Sequence, residues 1–177
     1  NIAAGIVVSK LGTASVSAPE LRRALQQDQG SGRGALSLEQ LQVALADARS
    51  QGERVVFTNG CFDIIHAGHV AYLEQARKQG ERLVVAVNSD DSVRRLKGRG
   101  RPINPAERRM AVLAGLEAVD WVICFSQDTP RELLQVLRPD VLVKGGDYAG
   151  KGSVVGWEIV EAYGGEVRVL DFVDEVS

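Results

Sequence analysis

Apolar and polar positions alternate in two rhythms along the chain. Ser37-Leu38-Glu39-Gln40 has the spacing of a capping box, a serine three residues before a glutamine. It predicts a helix running to about Ser50, with Leu38, Leu41, Leu45 and Ala48 on one stripe. Upstream, residues 1–11 and 20–27 read as helices, and the polar, glycine-rich 28–36 as a linker. After Gly52 short apolar runs alternate with amphipathic stretches of about ten residues. The runs 55–58, 83–87, 119–125, 141–143 and 166–170 read as strands. The stretches 68–79, 90–96, 105–116, 130–137 and 153–163 read as helices. Strands uninterrupted by polar residues are those buried on both faces. The expected fold is therefore α/β: a Rossmann-like, doubly wound parallel sheet of about five strands, preceded by a helical segment. The expected division is an N-terminal piece over 1–27, a linker over 28–36 and a main domain over 37–177, with its core from about residue 53.

Composition narrows the picture. Of 177 residues, 45% are hydrophobic, enough for a packed core, which excludes disordered and collagen-like classes. No apolar run approaches the length of a membrane span, and no signal-like segment opens the sequence. Two distant cysteines, Cys61 and Cys124, are not a disulfide framework and fit a cytoplasmic location. The net charge of -2 argues against a globally basic nucleic-acid binder. The basic residues are nonetheless bunched. Seven of them, against one acid, fall between Arg94 and Arg109. The chain's two histidines share the window His66-Ala67-Gly68-His69.

In parallel α/β sheets ligands sit at the carboxyl ends of the strands, near the point where strand order reverses. The polar segments able to carry chemistry all follow strands: Asn59–His69, Asn88–Asp91 and Lys144–Gly150. The first is the richest. Thr58-Asn59-Gly60-Cys61-Phe62-Asp63 leaves a strand, and His66 to His69 open a helix whose N-terminus suits phosphate. Gly68 lets a ligand approach the backbone. Two imidazoles three residues apart can both donate to phosphoryl oxygens as charge builds there. The competing reading of His-x-x-His is a zinc site completed by Cys61 or Asp63. The basic stretch 94–102 reads as a mobile loop closing over an anion, with a solvated face as the plain alternative. No aromatic residue interleaves it, which disfavours nucleic acid. Lys144, at a strand end before Gly145 and Gly146, can reach a phosphate as a point charge. Arg109 reads equally well as a phosphate ligand or a structural ion-pair partner.

The segment Thr58–Asp63 followed by His66-Ala67-Gly68-His69 resembles the His-x-Gly-His nucleotidyltransferases. Phe62-Asp63-Ile64-Ile65-His66, without proline after Asp63, is similar to their cytidylyltransferase-like branch. Further matches narrow it: Ala86–Asp90, Arg95–Gly98, Arg101–Pro105, Val119–Val122 and Leu142–Tyr148 resemble the adenylyltransferase domains of bifunctional heptose-phosphate kinase/adenylyltransferases. Residues 3–13 resemble the end of the ribokinase-like kinase domain that precedes them, so the sequence reads as a piece of a longer protein.

The resemblance implies transfer of AMP from ATP to D-glycero-β-D-manno-heptose 1-phosphate. The products would be ADP-heptose, for lipopolysaccharide core synthesis, and pyrophosphate. It implies His66, His69 and Lys144 as catalytic groups. Thr58, Asn59, Gly60, Phe62, Gly68, Gly145, Gly146 and Asp147 would bind the nucleotide. Lys97, Arg101 and Arg109 would meet the substrate phosphate, and Asp63 is the candidate Mg²⁺ ligand. The partners implied are ATP and a sugar 1-phosphate, without nucleic acid or membrane, and a homodimer is compatible with them. Relatives of this kind carry a Ser/Thr-rich helix start near their C-terminus, and Asp174–Ser177 ends the sequence where that stretch would begin. A silent nucleotide-binding module, or a cytidylyltransferase acting on another phosphorylated molecule, is the alternative.

Overall fold

A computed structural model describes residues 32–146 and 150–170. By internal contacts the chain divides into Asn1–Gly32 and Arg33–Ser177, and the second unit holds every described strand and helix. The N-terminal helices expected over 1–27, Asp147 and the segment at 174–177 lie outside the described residues.

The elements, in order, are β1 (Gly34–Ala35), α1 (Leu38–Ser50), β2 (Val55–Gly60), α2 (Ala67–Arg77), β3 (Arg82–Asn88), α3 (Asp90–Lys97), α4 (Ala106–Ala114), β4 (Trp121–Phe125), α5 (Arg131–Leu137), β5 (Val141–Gly145), α6 (Trp157–Ala162) and β6 (Glu166–Leu170). They form a six-stranded sheet in the order β1-β4-β3-β2-β5-β6. Every pairing is parallel. The chain first steps outward from β2 to β3 and β4, then returns to the other side of β2 with β5. The reversal lies between β2 and β5, where Val56 pairs with Val141 and Phe57 with Leu142.

Successive strand residues point to opposite faces, and both faces are covered. Val55, Phe57, Val84, Ala86, Trp121 and Ile123 pack with α1 and α5 residues Leu41, Leu45, Leu134 and Leu137. Val56, Leu83, Val85, Val87, Val122 and Val143 pack on the other face with Leu73 and Ala76 of α2 and Leu113 of α4. This two-sided burial is why the strands read as continuous apolar runs.

The expected capping box is present: Ser37 Oγ accepts from Gln40 N at 3.2 Å, and Gln40 Oε1 accepts from Ser37 N at 2.9 Å. Two expectations are corrected. The end of the presumed linker is strand β1, held by Gly34 N–H to Asp120 O and Leu36 N–H to Val122 O, each 2.9 Å. A Gly-Ala strand has no side-chain rhythm to betray it. The helix expected over 153–163 is also interrupted. Gly156 has φ +90°, and a Cβ there would collide with Leu134 Cδ1, so α6 begins only at Trp157.

Candidate active site

The carboxyl ends of β2 and β5 open into a cavity of about 410 Å³, lined among others by Asn59, Gly60, Phe62, His69, Lys97 and Lys144. A second cavity of about 350 Å³ lies toward β3 and α5 and shares Asn59, Gly60, Cys61, Lys97 and Lys144 with the first. The two thus share a wall at the strand-order reversal, where the topology places ligands.

Between β2 and α2 the chain turns at Phe62, a non-glycine residue with φ +47°. Such a left-handed conformation persists only where the surroundings impose it. Here the Phe62 ring is buried and lies 5.6 Å from the His69 ring.

The start of α2 is capped by imidazoles. His66 Nδ1 accepts from Gly68 N–H at 3.2 Å, and His69 Nδ1 accepts from His66 N–H at 3.4 Å. A neutral imidazole whose Nδ1 accepts carries its proton on Nε2. Helix capping therefore turns both histidines into Nε2–H donors facing away from the backbone. Their rings lie 4.1 Å apart. Burial first, then the neighbouring His66 charge, lowers the pKa of His69, which favours the neutral donor. His69 lines the cavity, while His66 is exposed and is not among the residues lining it.

Lys144, at the end of β5, donates from Nζ to Asn59 O at 2.9 Å. Burial lowers its pKa to about 8, partly opposed by Cys61. No carboxylate pairs with it among the described ion pairs. A mostly buried cation on the wall between two cavities is suited to an anionic ligand. Gly145 follows because a Cβ there would come within 2.7 Å of the Tyr72 ring.

Several expected ligands are placed otherwise. Asp63 is buried, and its carboxylate accepts from Ile103 N–H at 2.8 Å and Asn104 N–H at 2.9 Å. Arg101 Nε lies 2.6 Å from its other oxygen. Burial raises the Asp63 pKa, but these hydrogen bonds and Arg101 outweigh it and hold the group below the usual carboxylate range. Asp63 thus anchors the 101–104 loop, with both oxygens occupied. It does not fit as a Mg²⁺ ligand. No three His, Cys, Asp or Glu groups among the described residues are arranged to hold a metal, so the zinc alternative finds no ligand set.

Arg109 is not a phosphate ligand. It is 1% exposed, and its guanidinium donates to Asn104 O (2.8 Å), Cys61 O (2.5 Å), Asn88 O (2.9 Å) and Asp90 Oδ1 (2.7 Å). It ties together the segments that leave β2 and β3 and the one that enters α4. Thr58 is buried, its Oγ1 2.7 Å from Tyr72 Oη, which in turn donates to Val143 O. It braces the floor beneath the cavity rather than lining it. The Gly68 N–H is already used by His66. Gly146 donates to Leu170 O at 3.2 Å. Cys61 lies half-buried in the shared wall.

Tyr72 and Asp128 line the cavities without having been singled out in the sequence, whereas Asn88 opens the segment Asn88–Asp91 that was. Tyr72 lies within the amphipathic stretch 68–79, where nothing marks it from a core residue. Asp128 follows a strand, the one signal that could have marked it.

A parallel sheet whose central strand feeds an imidazole-capped helix, beside a mostly buried lysine, is the arrangement that the resemblance to nucleotidyltransferases implies. The chain belongs to the cytidylyltransferase-like family, whose pattern matches residues 57–167. It is 76% identical over its full length to the bifunctional protein HldE of Hahella chejuensis, and 71% identical to that of Alcanivorax borkumensis. It spans 37% of the length of each. Among solved structures it resembles the lipopolysaccharide core biosynthesis protein from Thermoplasma volcanium, with TM-score 0.56 and 27% identity over 68% of this chain and 97% of that one. A pantoate-beta-alanine ligase from Francisella tularensis shares the fold at TM-score 0.59 and 13% identity, over 78% of this chain and 67% of that one. Among the described residues no helix is long and apolar enough to cross a membrane.

Proposed function

We propose that this domain transfers AMP from ATP to D-glycero-β-D-manno-heptose 1-phosphate, releasing pyrophosphate and forming ADP-heptose. One observation carries the reading: Lys144 and Lys97 stand in the wall common to two adjoining cavities, with His69 in the first. Two anionic substrates can then meet at one cationic seam. The choice of heptose and of adenine rests on the resemblance of Arg101–Pro105 and Leu142–Tyr148, and on the high identity to the HldE proteins.

A phosphate oxygen of the sugar attacks the α-phosphorus of ATP. The new P–O bond forms as the bond from the α-phosphorus to the bridging oxygen breaks, and that electron pair leaves with pyrophosphate. The acceptor oxygen is already anionic, so the chain need supply no nucleophile and no base. Its task is positioning and charge stabilisation. The Nε2–H groups of His69 and His66 donate to phosphoryl oxygens whose charge grows as pyrophosphate departs. Lys144 holds the oxygens between the two substrates, and Lys97 closes from α3. Asn59 and the backbone of Gly60, Phe62 and Gly145 line the nucleotide side. Arg101 is held on Asp63 and shapes the loop beside them. Mg²⁺ would enter with the triphosphate, since the described residues offer it no cage.

The test is product analysis. The domain, ATP, Mg²⁺ and heptose 1-phosphate should yield pyrophosphate and ADP-heptose by mass spectrometry, with CTP a poorer donor. Absence of the nucleotide-sugar, or preference for CTP, would overturn the assignment.

A further inference from the structure

The second cavity differs from the first in what lines it. Beyond the shared lysines it is walled by Asn88, Asp128, Thr129 and Pro130, with Leu96 and Val155 at its sides. Three residues that line this space carry side-chain oxygen acceptors: Asn59, Asn88 and Asp128. Asn59 Oδ1 is buried and has no hydrogen-bond partner. Asn88 is 3% exposed, and its amide nitrogen donates to Ser92 Oγ at 3.0 Å. That bond fixes the orientation of Asn88, whose Oδ1 meets only the Cys61 thiol at 4.0 Å. A thiol is a weak donor.

Asp128, the third, is exposed to solvent and its side chain is held by an ion pair. Its Oδ1 takes Arg95 Nε at 2.8 Å and Arg95 Nη2 at 2.7 Å. Arg95 also donates to Ser126 O at 2.6 Å, and Ser92 Oγ donates to Gln127 O at 3.0 Å. The loop after β4 is thereby stapled to α3. Asp128 Oδ2 has no partner among the described residues.

A buried acceptor left unpaired, as at Asn59, costs free energy unless a ligand supplies the donor, whereas the exposed Asp128 carboxylate can exchange water for a ligand hydroxyl. Acceptors at one end of a cavity and cations at the other fit a molecule with hydroxyls at one end and a phosphate at the other. The geometry points to Asp128 as a specificity-determining residue that accepts hydrogen bonds from the hydroxyls of the acceptor sugar, with Asn59 and Asn88 completing the acceptor wall. This rests on the proposed function and deepens it: the cavity selects a polyhydroxylated phosphate, and Arg95 and Ser92 position the carboxylate that selects it. A carboxylate oxygen also repels phosphate, so it orients the sugar with its phosphate toward Lys97 and Lys144.

The experiment uses the full chain and its variants Asp128→Asn and Asp128→Ala. Binding of sugar 1-phosphates, intact and singly deoxygenated, is measured by calorimetry in the presence of a non-hydrolysable ATP analogue. Turnover is measured in parallel. Asp128→Ala should weaken binding of the intact sugar phosphate about 10- to 100-fold, the worth of a hydrogen bond to a charged group. Affinity for the ATP analogue should stay within about twofold, because Asp128 lines the second cavity and not the first, where the proposed function places the nucleotide. At least one deoxy analogue that the wild type rejects should bind Asp128→Ala as well as the intact sugar does. Asp128→Asn, which keeps the shape and one acceptor, should fall between. A purely structural role would move both ligands together and leave deoxy discrimination intact, and that result would overturn the inference. Equal sugar affinity in wild type and Asp128→Ala would overturn it as well, with the proposed function still standing if turnover persists. Sugar binding without nucleotidyl transfer would remove the proposed function and leave the inference. No binding of any sugar phosphate by the wild type would remove both.

Discussion

Residue by residue, the site depends on which charges are free and which are spent. Arg109 and Asp63 lie in sequence runs that look equally able to bind phosphate or metal. Their partners decide otherwise, and those partners lie far along the chain: Ile103 and Asn104 for Asp63, Cys61 and Asn88 for Arg109. Such pairings arise only on folding, so the sequence alone could not separate a ligand from a brace. Lys144 is the reverse case. Its place at a strand end before two glycines was legible, and the fold leaves it without a carboxylate among the described residues. Its pH behaviour follows. In the free protein burial brings it to about 8, so it is charged below that pH and neutral above it. Phosphate binding needs the charged form. The kcat/KM for ATP should therefore fall as pH rises through about 8, since that ratio reports groups of the free enzyme. Lys144→Arg, charged throughout this range, should lose the alkaline limb even if its maximum is lower. An unchanged alkaline limb in Lys144→Arg would show that another group controls it.

At the scale of elements, the start of α2 joins stability to chemistry. The same imidazole nitrogens that cap the helix fix which nitrogen is left to donate. The motif was legible because its residues are local, within four positions. The tautomer was not, because it needs the capping geometry. The two roles can be separated. His66→Asn keeps a good N-cap and should hold the melting temperature near that of the wild type while losing activity. His66→Ala removes the cap as well and should cost about 0.5–2 kcal/mol, read by chemical denaturation. Equal stability of the two variants would show that His66 does not cap the helix. The strands divide in the same way. Runs buried on both faces announce themselves, whereas β1 has only backbone pairing with β4 and no pattern to read.

For the whole molecule, the order β1-β4-β3-β2-β5-β6 explains why one seam can serve two substrates. The reversal beside β2 opens a cavity on either side of the same strand end, and Asn59, Gly60 and Lys144 stand between them. The alternation of strands and helices made the parallel sheet legible. The doubling of the cavity was not, since it depends on which strands become neighbours. Net charge of -2 also misleads when taken as an average. Much of the bunched basic charge is consumed internally, by Asp63, Asp90, Asp91 and Asp128, and Lys97 remains free to face a ligand among those described. The central claim is that phosphoryl charge is stabilised from the start of α2. Its most direct test is kcat/KM for adenylyl transfer to heptose 1-phosphate in the wild type and His69→Ala, with folding checked by circular dichroism. Loss of this donor should lower the rate on the order of 10²–10³-fold, chiefly in kcat. A folded His69→Ala variant within a few-fold of the wild type would contradict it.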